Sequence, residues 1–307
     1  SMAAGSIAVI GGLFFSEQAT IPDKEQIILV EMLSELLARD YTYVVYHPCC
    51  EAGLSPHVAE TVTRQGFRNI APAGTTPIYA VDMRSPVIIF KNVDTLIKHP
   101  LSSRQAVRNA LEHAHDRLLK MLTEIYPGEL VLSYNSDIMY HKMIHLIAKV
   151  NQVSPVPYEV KAYGKYMAVP FGKVLEGSAV PNTVTKALHT EKYFYEDLSG
   201  FTIEEKSYYS TLENQIRTIR SFNRPVILID DLLHKGYRMK EIDPILKANG
   251  VVVADTVVGV QTGRGRDLMA LKERSVDSAY FLPNLKCWID ESALYPYIGG
   301  DSMKPKG

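Results

Sequence analysis

Cysteine is scarce in this 307-residue chain: there are three, Cys49, Cys50 and Cys287. An odd count with two neighbours in sequence gives neither a disulfide framework nor the spaced ligands of a structural zinc site. A reducing, cytoplasmic setting is the expectation. An excess of charge of either sign is missing too, with 33 Lys and Arg against 34 Asp and Glu. No global basic field calls for a nucleic-acid partner, so any anion site has to be local. No apolar run reaches the roughly 20 residues that span a bilayer, so no membrane partner is expected. The start, Ser1-Met2-Ala3-Ala4-Gly5-Ser6, has neither the charged region nor the apolar stretch of a signal peptide. Ser1 before Met2 reads as a cloning remnant, and both a whole protein and a domain of a longer one fit. Internal repeats and low-complexity segments are absent as well.

What is present is ordinary globular composition, 46% hydrophobic and 22% charged. At this length two domains are expected, on a prior of about 150 residues each. Short apolar runs alternate with helical periods. Ile7–Ile10, Tyr43–Tyr46 and Val87–Phe90 read as strands. Residues 104–126 place Val107, Leu111, Ala114, Leu118, Leu119 and Leu122 at helical spacing, and Pro127-Gly128 ends that helix. Leu130–Tyr134 is the next strand, Asn135-Ser136-Asp137 a capping turn, and Ile138–Val150 a helix. Residues 158–200 hold no sustained period, which fits either a β-hairpin or a mobile loop. A helix is expected over Ile203–Phe222, then strand, loop, helix and strand through Val258. Alternating strands and helices imply an α/β fold with a largely parallel sheet.

Chemistry concentrates in Pro225-Val226-Ile227-Leu228-Ile229-Asp230-Asp231-Leu232-Leu233-His234-Lys235-Gly236-Tyr237-Arg238. Four apolar residues make a strand buried on both faces, as inside a parallel sheet. Two carboxylates follow at its C-terminal end, the edge where open α/β sheets bind ligands. A glycine-bearing loop then opens a helix, whose backbone N–H groups can meet a phosphate. Adjacent carboxylates suit sugar hydroxyls or Mg²⁺ better than an anion. A plain helix cap is the competing reading of the same pair.

Strand, Asp-Asp, two apolar residues and a glycine loop is similar to the phosphoribosyl-diphosphate (PRPP) motif of type I phosphoribosyltransferases. The resemblance implies a phosphoribosyltransferase-like parallel sheet flanked by helices over residues 101–307, preceded by an additional α/β unit over 1–100. It implies that Asp230 and Asp231 hold the ribose hydroxyls and Mg²⁺, directly or through water. His234, Lys235, Gly236, Tyr237 and Arg238 would hold the 5′-phosphate, and Tyr134, Asn135 and Ser136 would form the diphosphate turn. A lid would occupy about 160–200, with Lys173 and Lys186 bringing charge to it. Trp288 would stack on the base, and Tyr295–Gly299 resembles the tail of purine-salvage members. Homodimers through sheet edges are common in this family.

The loop departs from the family's usual small hydroxyl residues. Lys and Arg reach further than hydroxyls and attract a larger or more charged anion. Two functions follow: transfer of a phosphoribosyl group to a nitrogenous base, or a non-catalytic regulatory module sensing a nucleotide or sugar phosphate, tethered to a nucleotidyltransferase in a longer chain. A scaffold with a vestigial site is a third. His47-Pro48-Cys49-Cys50-Glu51 shows no partner spacing for a metal, and His113, His115, His141 and His145 read as surface or packing residues. Gly263-Arg264-Gly265-Arg266 fits either a phosphate or base contact or an exposed turn.

Overall fold

A computed structural model describes residues 5–12, 24–49, 56–93, 97, 99–157, 163–175, 177–197 and 199–295. Cys50, Glu51, Lys161 and the Pro296–Gly299 tail lie outside the described residues. The chain packs as two units, residues 1–137 with 282–307 and residues 138–281. The division expected near residue 100 is therefore not where the packing divides.

Strand pairing explains the difference. In the first unit β1 (Ser6–Ile10), α1 (Lys24–Ala38), β2 (Tyr41–Tyr46), α2 (Pro56–Arg64) and β3 (Arg68–Asn69) lead to a long β4 (Tyr79–Lys91). The first part of β4 runs antiparallel to β2, with Tyr43 opposite Asp82. Its second part runs parallel to β5 (Glu129–Asn135) and to a last strand, Cys287–Asp290, so that Ile89 has Ser133 on one side and Ile289 on the other. Residues beyond 100 and near the C-terminus thus complete the sheet begun before 100. Helix α3 (Gln105–Ile125) covers it, burying Leu118, Leu119 and Leu122 against Val87, Ile89 and Val131. That set is the apolar stripe read from the sequence.

Helix α4 (Ser136–Asn151) starts where Asn135 Oδ1 accepts from the Asp137 N–H at 2.9 Å, an Asx turn of the expected kind. The second unit is built on a five-stranded sheet. Its strands are β6 (Met167–Pro170), β7 (Val184–Thr185), β10 (Val226–Leu233), β11 (Val253–Thr262) and β12 (Val276–Leu282), in the order β12-β11-β10-β6-β7. Between β7 and β10 lie a separate antiparallel hairpin, β8 (Thr190–Phe194) with β9 (Phe201–Glu205), and helix α5 (Leu212–Ser221). Residues 158–200, which fit a hairpin or a loop, include strand β8 of this hairpin.

The helix expected from Ile203 begins only at Leu212, capped by Thr211. Residues 201–205 instead alternate as a strand opposite β8, and Tyr208 has φ of 69°, a left-handed conformation that no helix continues through. Strand β10 is central and parallel to both neighbours. Its first five residues are buried, the reason for the unbroken apolar run. Helices α6 (Tyr237–Ala248) and α7 (Gly263–Leu271) follow β10 and β11 directly.

Candidate functional site

Because β6, β10 and β11 run parallel, their C-terminal ends open on one edge of the second unit. Three segments meet there: Phe171–Val174 after β6, His234–Gly236 after β10, and the start of α7 after β11. Asp230 and Asp231 belong to β10 itself, which runs four residues beyond the Val226–Ile229 strand expected from sequence.

Asp231 is half-buried and faces the segment after β6. Its Oδ2 accepts from the Lys173 N–H at 2.6 Å and its Oδ1 from the Val174 N–H at 3.0 Å. Gly172 is required by that approach, since a Cβ there would stand 2.6 Å from Asp231 Oδ1 and 2.7 Å from its backbone N. Desolvation, then the charge of Asp230, pushes the Asp231 carboxyl up to about 6, against the pull of the two N–H groups and Arg238.

Asp230 is 4% exposed. Its Oδ1 accepts from Arg238 Nη1 at 2.8 Å and from the Asp231 N–H at 2.9 Å. The guanidinium also donates to the Phe171 carbonyl and to Thr190 Oγ1 at 3.1 Å, and lies over the Phe171 ring at 4.7 Å. Arg238 therefore pins three segments to one buried carboxylate: β10, the loop after β6 and strand β8. Its planar, forked donors suit such a role as a Lys would not. Lys192 on β8 belongs to the same neighbourhood. Desolvation and the Arg238 charge hold its ammonium below the usual range, with Asp230 opposing.

The loop His234-Lys235-Gly236 is shaped by its neighbours. Gly236 is the N-cap of α6 with φ of 68° and no side chain to cap the helix, and a Cβ there would run into Leu268. The first turn of α6 thus receives no capping oxygen from its N-cap side chain. Thr262 Oγ1 donates to the His234 carbonyl at 2.8 Å and accepts from the Gly265 N–H at 3.2 Å. Gly265 permits the contact because a Cβ would meet the Leu233 carbonyl. Gly263–Arg266 is thereby the first turn of α7, packed against the loop. Burial, followed by the charges of Lys235 and Arg264, depresses the His234 imidazole. Lys235 and Tyr237 are exposed.

The second unit thus brings together Asp230, Asp231, the 234–238 loop and the backbone of Lys173. Lys186 lies just after β7, its N–H donating to the Ala168 carbonyl at 3.0 Å. Tyr134, Asn135 and Ser136 belong to the first unit, and so does Trp288, half-exposed on the Cys287–Asp290 strand. Tyr134 is wholly buried there beside Ser34 Oγ at 3.0 Å, and desolvation raises its phenol. The residues that sequence reasoning missed are Gly172 and Thr190. Pro170-Phe171-Gly172 following an apolar run carried a signal of its own, a glycine at a strand end. His115, read as a surface or packing residue, is buried between Glu291 Oε2 at 3.0 Å and Ser133 Oγ at 3.1 Å.

The carboxylate pair can accept hydrogen bonds, but as a metal ligand set it is incomplete. Both Asp231 oxygens accept from backbone N–H groups, and Asp230 is shared with Arg238. Among the described residues no three His, Cys, Asp or Glu converge to hold a cation. Asp230 and Asp231 by themselves therefore do not complete a direct Mg²⁺ site. Among the described residues, too, no helix is long and apolar enough to cross a membrane.

No family model matches the chain, and no curated protein matches it. Among solved structures it is similar to adenine phosphoribosyltransferase from Thermoanaerobacter pseudethanolicus. That match has 14% identity over 47% of this chain and 80% of that one, with a TM-score of 0.29. So slight a likeness carries no argument about arrangement or chemistry.

Proposed function

We propose that the second unit binds the 5-phosphoribosyl group of PRPP or of a nucleotide at the edge formed by β10 and α6, and transfers it to a nitrogenous base. One observation carries this reading: a buried central strand that carries two carboxylates near its C-terminal end leads, through His234-Lys235, to a left-handed glycine and a helix with no side-chain cap. The N–H groups at the start of α6 and the exposed Lys235 would take the 5′-phosphate. Asp230, with one oxygen uncommitted by the contacts above, would accept from a ribose hydroxyl. In the reaction the C1–O bond breaks with its electron pair leaving on diphosphate, the C1–N bond to the base forms, and the proton of the base nitrogen passes to the departing diphosphate. Catalysis is electrostatic, from fixed charges placed around a cationic sugar as water is excluded. A type I phosphoribosyltransferase-like arrangement over residues 101–307 is part of the same proposal.

A second reading has an observation of its own. Both Nη groups of Arg238 and both carboxylate oxygens of Asp231 are engaged within the chain, which suits a unit that holds a nucleotide without turning it over. Release of diphosphate from PRPP over a panel of purine and pyrimidine bases separates the two. Turnover with any base supports transfer. Nucleotide binding with no diphosphate released from any base supports the regulatory module and ends the transferase reading.

A further inference from the structure

The loop after β10 has lost one of the cations that its sequence offers an anion. Arg238 is turned inward, onto Asp230, the Phe171 carbonyl and Thr190. Burial, then the charges of Lys235 and Arg264, holds the His234 imidazole below its usual range, so at about pH 7 it is neutral and adds no charge of its own. Within residues 234–238, Lys235 is then the cation that faces solvent. A phosphate monoester is a dianion above its second pKa of about 6, and one ammonium balances half of it.

A second cation comes from the neighbouring strand. Strand β11 ends in Thr262, and α7 opens with Gly263-Arg264-Gly265-Arg266. This first turn is laid against the His234 loop: Thr262 Oγ1 donates to the His234 carbonyl at 2.8 Å, and a Cβ on Gly265 would stand 3.1 Å from the same oxygen. Its two arginines differ in their surroundings. Arg266 is held, its Nε 3.5 Å from Asp267 Oδ1 and its guanidinium 4.9 Å from the Phe281 ring centroid. Arg264 is exposed, and among the described residues neither Arg264 nor Lys235 is paired with a carboxylate. Both of their charges act on the His234 imidazole. Two solvated cations, carried by the loops of adjacent parallel strands, thus flank one backbone turn, and their mutual repulsion is offset only when an anion lies between them.

We propose that Arg264 is a second phosphate ligand at the β10–α6 loop, clamping a dianionic phosphate monoester between its guanidinium and the Lys235 ammonium. The inference rests on the proposed seat of a sugar phosphate at this loop. It adds a ligand from outside the Asp-Asp motif and a preference for ligand charge. A guanidinium can give two parallel N–H groups to two phosphate oxygens, and a monoanion has less charge to meet them.

Calorimetric titration of ribose 5-phosphate into the whole chain tests it, at about pH 8, where the ester is a dianion, and in about 0.15 M salt, where a Debye length of about 8 Å damps the general field. Arg264→Gln and Lys235→Gln are each expected to weaken binding about tenfold. Arg266→Gln, whose guanidinium is already held, should change it by less than about twofold. Ribose 5-sulfate, a monoanion of nearly the same shape, should bind the wild type about tenfold more weakly than the phosphate, and Arg264→Gln should narrow that gap. Unchanged affinity in Arg264→Gln, with Lys235→Gln weakened, would overturn the inference and leave the phosphate on the loop. Equal losses in Arg264→Gln and Arg266→Gln would overturn it as well, since a diffuse field rather than a ligand gives that result. So would equal binding of the phosphate and sulfate esters. Absence of binding to the wild type, or binding indifferent to Lys235→Gln, would remove the phosphate from the loop and the inference with it.

Discussion

Replacing Arg238 by Ala is the perturbation on which the two views of this residue differ most. Sequence assigns the guanidinium to a phosphate, whereas the structure turns it inward, onto Asp230 at 2.8 Å, the Phe171 carbonyl and Thr190. The Arg238 side chain is 20% exposed and that of Asp230 5%, so little solvent screens the pair. Truncation leaves a buried carboxylate with only the Asp231 N–H at that oxygen, a class of change that costs about 3–5 kcal/mol. Lost packing on the Phe171 ring is part of the cost, because the guanidinium plane lies over it. Asp230→Asn removes the stranded charge, so Asp230→Asn/Arg238→Ala should lose less than the two single variants added together. A coupling of about 1.5 kcal/mol or more is expected for a charged hydrogen bond of this kind. Urea unfolding of the four proteins, followed by circular dichroism, gives the cycle. A loss below about 1 kcal/mol for Arg238→Ala would refute the inward pairing, since exposed phosphate ligands contribute little to folding.

Other expectations follow the same geometry. Asp231 titrates near 6 in the fold against 3.8 for its ordinary value, so the native state binds the extra proton in between. Its contribution to stability is full below about 4 and is lost as pH rises through 6, by up to about 3 kcal/mol. The stability difference between wild type and Asp231→Asn should therefore move against the wild type by about 2–3 kcal/mol from pH 4 to 7; unfolding curves with the same pH slope in both proteins would contradict it. Gly236→Ala places a Cβ against Leu268 at φ of 68°, and thermal unfolding should show a loss of about 1–3 kcal/mol. Gly172→Ala crowds the Asp231 carboxylate and should cost about 1–3 kcal/mol in the same assay. An unchanged melting temperature in either glycine variant would show the loop to be looser than its packing indicates.

How much of this was legible beforehand follows from sequence separation. Val226–Ile229 was readable as a buried strand because four consecutive apolar residues have few other fates. The helical stripe of α3 was readable from Leu111 to Leu122 for the same local reason. The partners of Arg238 were not, because Phe171 and Thr190 lie 67 and 48 residues away. Nor was the division of the chain: it depends on β4 accepting β5 and Cys287–Asp290 as neighbours, a pairing that no single segment encodes. Residues 203–211 misled because Ile203 fits both a helical period and a two-residue alternation. The opposing β8 strand decides between them. The carboxylate pair was found as residue types, but its hydrogen bonds to the loop after β6 depend on Gly172, whose requirement appears only once Asp231 is seen beside it.

The central claim is that a sugar phosphate sits on the β10–α6 loop, and calorimetric titration of PRPP tests it most directly, with and without Mg²⁺, in the wild type and in Lys235→Ala. Lys235 is exposed, so this variant should keep its stability within about 0.5 kcal/mol. The account predicts saturable PRPP binding that weakens about tenfold, or 1.4 kcal/mol, in Lys235→Ala. Equal affinity in both proteins would place the ligand elsewhere, and absence of binding to folded wild type would contradict the claim outright.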